Sequence, residues 1–314
     1  MIDVLSFGEA LVDFLPGKTG CALREVESFR RCLGGAPANF ALGISRLGGR
    51  SGLMAKLGDD EFGYYLRDTL HASGVNVDGV IHTREARTGL AFIELGAGGE
   101  RRFLFYRHPS ADMTIGPEDV DTALVSQAAV VHAGTNLLIR EPNRRATHLC
   151  FQTGRSAGAL TSLDLNLRFH QWTSRDAIRP TVEATLPLVD VVKANDEELA
   201  FLCPEQSPRA AFDTYFAPLG VQALVVTMGP VGATVATAHG EWSAPAPQVH
   251  AVDTTGAGDG FLAGLWRALT RQGRPSLDDA DWDTALRVAN KVGSQICTAY
   301  GATTALPDES ELRW

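Results

Sequence analysis

The sequence has a shortage of positive charge. Its 314 residues include 28 Lys and Arg against 37 Asp and Glu, for a formal net charge of −9. Proteins that bind nucleic acids or anionic membranes usually carry a basic excess or a basic stripe. No such stripe is visible in the sequence, so neither partner is expected, and any phosphate chemistry must rely on a local site.

Cysteines and long apolar stretches are also scarce. The five cysteines are scattered and form no Cys-x-x-Cys motif, which argues against a disulfide framework and a zinc site. The longest uncharged run, 214–240, is broken by glycine and proline, which favours two buried strands and a turn over a membrane span. Asp3 lies where a signal peptide would carry basic charge. We therefore expect a cytoplasmic protein.

From residue 128 onward, short apolar runs alternate with helical patterns. Single strands separated by single helices favour a parallel α/β sheet covered on both faces. The predicted strands are 128–133, 159–165, 189–194 and 223–228. The predicted helices lie near 141–155, 176–184, 196–202 and 281–298.

Two earlier segments, about 9–31 and 82–107, do not follow this alternation. Both are strand-like, and the second has period-2 runs at 88–95 and 101–106 joined by a glycine-rich hairpin signal at 96–99. We expect these insertions to form a small β-sheet that covers one α/β domain of residues 1–314 as a lid.

The strongest chemical signal is the string DTTGAGDGF at 253–261, which is followed by a helical pattern. Its glycines allow a sharp turn and a close approach of the backbone to another group. The N–H groups at the start of the following helix form an anion site, to which Gly256, Ala257 and Gly258 contribute. A carboxylate beside such a site, Asp259, is suited to accept the proton of an attacking hydroxyl group.

Two other phosphate motifs are excluded. Gly17-Lys18-Thr19 resembles the end of a Walker A loop, but Val12 stands where that loop needs its first glycine. Phe261 likewise stands where a dinucleotide-binding Gly-x-Gly-x-x-Gly motif would have its last glycine. The sequence supports neither a Walker-type NTPase nor a dinucleotide-binding fold.

Two strings in the right order resemble the signatures of the ribokinase-like (PfkB) sugar kinases: GGAPANFA at 34–41 and DTTGAGDGF at 253–261. Within that family the chain is most similar to fructokinases, through GEALVDF at 8–14, FYR at 105–107 and Asp-x-Asn-x-Arg at 164–168. The resemblance covers essentially the whole chain. It implies an α/β, ribokinase-like (Rossmann-like) sandwich with a central, mostly parallel sheet and a β-sheet lid over the sugar.

The resemblance also implies roles for individual residues. A polyol needs backbone amides and Asp or Asn side chains to satisfy its hydroxyl groups. The residues implied on the sugar side are Asp13, Gly34, Gly35, Asn39, Phe105, Arg107, Arg168 and Asp259. Those implied on the nucleotide side are Asn166, Arg168, Lys193, Asn195, Glu198, Thr227, Gly229, Gly232, Gly256, Gly258 and Asn290.

Metal sites follow from the same resemblance. Glu198 would hold Mg²⁺ through water, since Mg²⁺ keeps several waters and needs few carboxylates. Backbone carbonyl groups near Asp253 and Thr255 and near the 297–301 segment would hold a monovalent cation such as K⁺. A hairpin turn at 227–233 and an ordinary helix-surface Asn290 remain alternatives to nucleotide contacts.

The predicted reaction is ATP-dependent phosphorylation of a sugar hydroxyl, with fructose giving fructose 6-phosphate as the favoured case. The nearest rival substrate is 2-keto-3-deoxygluconate, and a nucleoside or aminoimidazole riboside is a weaker one. A sugar-binding regulator on an inactive kinase scaffold is a different class of function, against which the presence of Asp259 argues. The lid is also a candidate homodimer interface.

Overall fold

The computed structural model describes residues 2–18, 20–95, 101–107 and 109–312, so the hairpin turn predicted at 96–99 lies outside the described residues. Two sheets organise this part of the chain. In chain order, the strands are β1 (Ile2–Phe7), β2 (Leu11–Pro16), β3 (Phe29–Gly34), β4 (Ser51–Gly58), β5 (Val80–Thr83), β6 (Leu90–Leu95), β7 (Arg101–Tyr106), β8 (Ala128–Gly134), β9 (Leu160–Asp164), β10 (Val191–Asn195), β11 (Ala223–Thr227), β12 (Ala233–Thr237) and β13 (Gly240–Ala244).

The α-helices cover the larger sheet. They are α1 (Ala36–Arg46), α2 (Glu61–Ala72), α3 (Thr122–Val125), α4 (Asn143–Ser156), α5 (Ile178–Thr185), α6 (Asp196–Leu202), α7 (Pro208–Ala211), α8 (Ala257–Thr270) and α9 (Trp282–Ile296). The helices predicted at 196–202 and 281–298 correspond to α6 and α9, with agreement to within two residues.

The larger sheet has the order β13-β12-β11-β10-β9-β8-β1-β4-β5. Its strands pair in parallel from β11 to β5, whereas β12 and β13 are antiparallel to their neighbours. The prediction of a mostly parallel central sheet is confirmed. β13 was not predicted, because it is a half-exposed edge strand without a clear apolar pattern.

The core lies on both faces of this sheet. Successive strand residues point to opposite faces, and Val4 joins a cluster formed with α1, α2, α8 and α9, whereas Leu5 joins one formed with α4 and α5. Burial on both faces explains why the parallel strands are nearly continuous apolar runs rather than alternating ones.

The smaller sheet has the order β3-β2-β6-β7 and comes from two excursions of the chain. The β2–β3 hairpin lies between β1 and α1, and β6–β7 follows β5. β3 continues to Gly34, three residues past the predicted end of the first insertion, because it leads directly into α1. β5 belongs to the larger sheet, through its pairing with β4.

Within the described residues, the structure has no helix that is both long and apolar enough to cross a membrane.

Candidate active site

A cleft lies at the carboxyl ends of β1, β8 and β9. In parallel sheets, this edge is where side chains from successive strand ends converge and where ligands bind. The empty space in the cleft, including the part that is open to solvent, is about 310 Å³. Its polar lining consists of Glu9, His132, Thr135, Asn136, Asp164, Asn166 and Asp259.

Helix α8 begins at this cleft, after a glycine turn. Gly256 has a φ of 78°, and a Cβ there would lie 2.6 Å from the Cβ of Ala302, so the turn requires glycine. A Cβ on Gly258 would meet the Nζ atom of Lys193 at 3.2 Å. The N-terminus of a 14-residue helix, with a buried ammonium beside its first turn, provides a site for an anion.

Asp259 lies in the first turn of α8, and its carboxylate is held by the other signature string. Asn39 Nδ2 donates a hydrogen bond of 2.9 Å to Asp259 Oδ2. Burial raises the pKa of Asp259 to about 6, although the Asn39 hydrogen bond opposes the shift; the negative charge of Asp164 adds to it. At neutral pH the carboxylate is therefore ionised, with a pKa close enough to accept a proton efficiently.

Asp13 projects from β2 beside this group and is buried. Burial, together with the charge of Asp259, raises the pKa of Asp13 to about 7, and the positive charge of Arg168 opposes the shift. A Cβ on Gly34 would lie 2.4 Å from Asp13 Oδ2, so only glycine lets β3 come this close to the carboxylate. Gly35, with a φ of 95°, then turns the chain into α1.

A second charged group lies behind the helix start. Lys193 Nζ is 3.2 Å from Asp164 Oδ1, and both side chains are buried. Burial alone would lower the pKa of Lys193, but the negative charges of Asp164 and Glu198 raise it. Lys193 is therefore a permanent cation beside Gly258.

Glu198 has a structural partner for each carboxylate oxygen. Oε1 accepts from the backbone N–H of Leu167 at 2.8 Å, and Oε2 accepts from that of Asn195 at 2.9 Å. Asn195 Oδ1 in turn accepts from the N–H of Glu198, which completes a capping box at the start of α6. Burial raises the pKa of Glu198.

This geometry suits a water-mediated metal contact better than direct coordination. Among the described residues, no group of three or more His, Cys, Asp or Glu side chains could hold a metal ion. Each Glu198 oxygen keeps one lone-pair direction after its backbone hydrogen bond. A hydrated Mg²⁺ held through water fits such a donor set.

Four further predicted nucleotide residues lie at the end of β11, in the β11–β12 connection and on α9: Thr227, Gly229, Gly232 and Asn290. Thr227 ends β11, and Gly229 and Gly232 have φ values of 53° and 123°. Nothing lies within 4 Å of a Cβ built on Gly229, whereas one on Gly232 would meet the Ala244 carbonyl oxygen at 2.1 Å. Gly229 thus borders open space, and Gly232 is a packing requirement.

Asn290 is buried rather than on a helix surface, so that alternative was wrong. Its Nδ2 donates a hydrogen bond of 2.8 Å to the Ala244 carbonyl oxygen and ties α9 to β13. This amide group therefore has a structural role whether or not a nucleotide lies nearby.

The two segments of the predicted monovalent-cation site are adjacent. Asp253 Oδ2 accepts from the N–H of Gly301 at 2.9 Å, and Oδ1 accepts from the N–H of Thr255 at 2.6 Å. The N–H of Asp253 donates to the Cys297 carbonyl oxygen. The Asp253 side chain thus fixes the backbone whose carbonyl groups would face the cation.

Of the remaining predicted residues, only Asn166 is among those that line the cleft. Arg168 affects the pKa of both Asp13 and Asp259 by its charge. The Phe105 ring on β7 is half-buried, with its centroid 6.5 Å from that of His170. Arg107 is buried in an ion pair with Asp112 and is not a free cation.

Part of the cleft lining was not predicted from the sequence. Glu9 and Asp164 appeared only within motifs, and His132, Thr135 and Asn136 were not singled out. The available signal was topological, since Glu9 follows β1 and Thr135 follows β8, and these strands are neighbours. The pairing of β1 with a strand more than 120 residues away is not visible in local patterns.

The chain is similar to known carbohydrate kinases over nearly its whole length. The model of the pfkB family carbohydrate kinases matches residues 1–309. A probable fructokinase-4 from Arabidopsis thaliana is 40% identical over 312 residues, covering 99% of this chain and 95% of that protein.

Solved structures give the same result. A fructokinase from Xylella fastidiosa with bound ATP has a TM-score of 0.88 at 33% identity and covers 98% of this chain and 96% of its own. A fructokinase from Vibrio cholerae, bound to fructose, ADP and calcium, has a TM-score of 0.85 at 32% identity and covers 99% and 97%. The chain belongs to the pfkB family of carbohydrate kinases.

Proposed function

We propose that this protein transfers the γ-phosphoryl group of ATP to a hydroxyl group of fructose, giving fructose 6-phosphate. The observation that carries the proposal is the hydrogen bond between Asn39 and Asp259 at the start of α8. It places an ionisable base beside an anion-binding helix terminus. The similar proteins that bind ATP or fructose support the choice of both substrates.

In this proposal Asp259 accepts the proton of the sugar hydroxyl as that oxygen attacks the γ-phosphorus of ATP, the bond from this phosphorus to the β-phosphate oxygen breaks, and ADP leaves. The amides of Gly256, Ala257 and Gly258, with Lys193 beside them, stabilise charge on the transferred group. Asp13 accepts hydrogen bonds from sugar hydroxyls and, with Gly34, fixes the orientation of the sugar. Mg²⁺, when bound with ATP, offsets phosphate charge, and Glu198 would hold it through water.

We infer further that the smaller sheet, formed by β3, β2, β6 and β7, acts as the lid over the sugar. Its β7 strand exposes Phe103, Leu104 and Tyr106, which would be covered in a homodimer formed through the lid. We also propose that K⁺ binds near Asp253 and Thr255. We propose in addition that the protein is cytoplasmic. The five free cysteines are compatible with a reducing compartment.

An ADP-release assay across fructose, ribose, 2-keto-3-deoxygluconate and nucleosides tests this function, with the Asp259→Asn variant as the blank. We expect the highest kcat/KM on fructose. A higher kcat/KM on the keto acid or on a nucleoside would contradict the assignment of fructose as the substrate. If none of these substrates causes ADP release, the result would contradict a kinase activity and favour a sugar-binding regulator.

A further inference from the structure

His132 lies near the carboxyl end of β8 and lines the cleft. The residue is 3% exposed, and its ring packs against that of Phe40 with the two centroids 4.3 Å apart. Burial lowers the pKa of His132 to about 4; the charge of Asp164 opposes this shift, and that of Lys193 adds to it. The imidazole is therefore uncharged at neutral pH, so one ring nitrogen carries a proton and the other can only accept.

The hydroxyl group of Ser162 determines which nitrogen carries that proton. Ser162 pairs with His132 across β8 and β9, and its Oγ lies 3.0 Å from His132 Nδ1. Trp266 Nε1 donates a hydrogen bond of 3.1 Å to the same oxygen, and an indole nitrogen can only donate. The buried Ser162 hydroxyl hydrogen also needs an acceptor, and His132 Nδ1 is the acceptor bonded to it within the described part of the chain. Nδ1 therefore accepts, and the proton is on Nε2.

The Nε2 atom of His132 borders the cleft. It forms no hydrogen bond with any described residue, yet it is not one of the polar atoms that are buried without a partner. The small exposed area of the ring thus includes Nε2, and the space that the ring borders is the cleft. The cleft therefore contains an N–H donor whose orientation is fixed from behind.

An acceptor without a partner lies on the same face of the sheet. Asp164 comes two residues after Ser162 on β9, so their side chains project from one face. Asp164 also lines the cleft, and its buried Oδ1 has no hydrogen-bond partner among the described residues. The ion pair of this oxygen with Lys193 Nζ, at 3.2 Å, lacks hydrogen-bond geometry. A donor and an unsatisfied acceptor in one cleft suit an oxygen that accepts one hydrogen bond and donates another.

We propose that Trp266 and Ser162 hold His132 as its Nε2–H tautomer. This N–H group and Asp164 Oδ1 together bind one hydroxyl oxygen in the cleft, which belongs either to the sugar or to a water molecule. The tautomer follows from contacts within the protein, whereas the sugar as occupant rests on the proposed function. Ser162 and Trp266 are positioning residues that act through His132.

Nitrogen NMR of the isotope-labelled protein measures the tautomer without any turnover. The signals of His132 are those that disappear in His132→Phe. At neutral pH we expect the wild-type proton on Nε2 and none on Nδ1, and we expect this preference to weaken in Ser162→Ala. A wild-type ring that is protonated at Nδ1, or at both nitrogens, would overturn the proposal whichever sugar is the substrate.

The His132→Phe variant tests the site itself, because it removes the donor but keeps a ring against Phe40. We expect kcat/KM for fructose to fall at least about 5-fold, since Asp164 Oδ1 and the bound oxygen lose a partner. His148→Phe is the matched control: His148 Nε2 lies 3.0 Å from the Thr185 hydroxyl, away from the cleft. Its kcat/KM should change less than about 2-fold.

Addition of fructose distinguishes the two sources of the oxygen. A shift of the Nε2 signal identifies a sugar hydroxyl as the occupant, and an unchanged signal identifies water. A folded His132→Phe variant with wild-type kcat/KM would contradict the site. If His132→Phe does not fold, Ser162→Ala must lower kcat/KM instead, or the inference fails. A wild type that does not phosphorylate fructose contradicts the proposed function and leaves the NMR result on the tautomer in force.

Discussion

Asn39 and Asp259 are 220 residues apart in the chain and share a hydrogen bond of 2.9 Å. Each lies near the start of its helix, α1 or α8, and each helix follows a glycine with positive φ. The contact holds the carboxylate of Asp259 in one orientation at the cleft. The two signature strings therefore meet at the Asp259 carboxylate, which is the proposed general base.

Replacement of Asp259 by Asn removes the base but keeps its shape. We expect turnover to fall by ~10²–10⁴-fold, because the amide cannot accept a proton, with little change in ATP affinity. ADP release and calorimetric ATP titration measure the two effects. A variant that keeps a tenth of wild-type turnover would exclude Asp259 from this role.

Loss of the Asn39 hydrogen bond should shift the pH profile. Burial raises the pKa of Asp259 to about 6 even though the hydrogen bond from Asn39 lowers it. In Asn39→Leu, the acid limb of kcat should move upward by about one pH unit. Asn76→Leu is the control, since Asn76 donates to Asp78 on an exposed turn. An unshifted limb in Asn39→Leu would mean that Asp259 does not set the pH dependence.

Two glycines of the α8 turn should fail in different ways. In Gly258→Val the side chain meets only the end of Lys193 and occupies the anion site, so the protein should fold but lose activity. In Gly256→Ala the Cβ meets Ala302 and a φ of 78° is strained, so stability should fall by about 1–3 kcal/mol. Denaturant unfolding and ADP release separate the two effects. If a folded Gly258→Val variant kept full activity, the glycines would serve only to form the turn and would not contribute to an anion site.

Asp13→Asn should stabilise the protein at high pH. The pKa of Asp13 is raised from 3.8 to about 7, so its favourable contribution is complete below pH 3.8 and is lost as pH rises through 7. The uncharged variant avoids this loss, and we expect about 2–4 kcal/mol of added stability at pH 8 and little at pH 4.

Asp60→Asn is the control, because its effect on stability at pH 8 should be opposite to that of Asp13→Asn. Hydrogen bonds from Thr88, Gly63 and Phe62 lower the pKa of Asp60 despite its burial, so its contribution is present above pH 3.8 and lost in acid. That variant should be destabilised at pH 8. Urea unfolding at both pH values measures each change, and equal effects of Asp13→Asn at pH 4 and pH 8 would contradict the assignment.

The sequence was informative where local patterns carry the structure. The alternating strands and helices after residue 128 predicted β8 to β11 and α4 to α6, and the glycine string predicted the turn before α8. The partners of Arg107 could not be predicted, because its pairing with Asp112 depends on how 87–89 and 110–112 pack together. Nor could the burial of Asn290, which depends on β13, an edge strand without an apolar pattern.

The central position of β1 has a consequence for synthesis. β1 pairs with β4 on one side and with β8 on the other, so a ribosome must deliver residue 134 before both edges are covered. Until then, six consecutive buried residues present one open edge to other nascent chains. β1 is therefore open to unwanted strand pairing until β8 has been made.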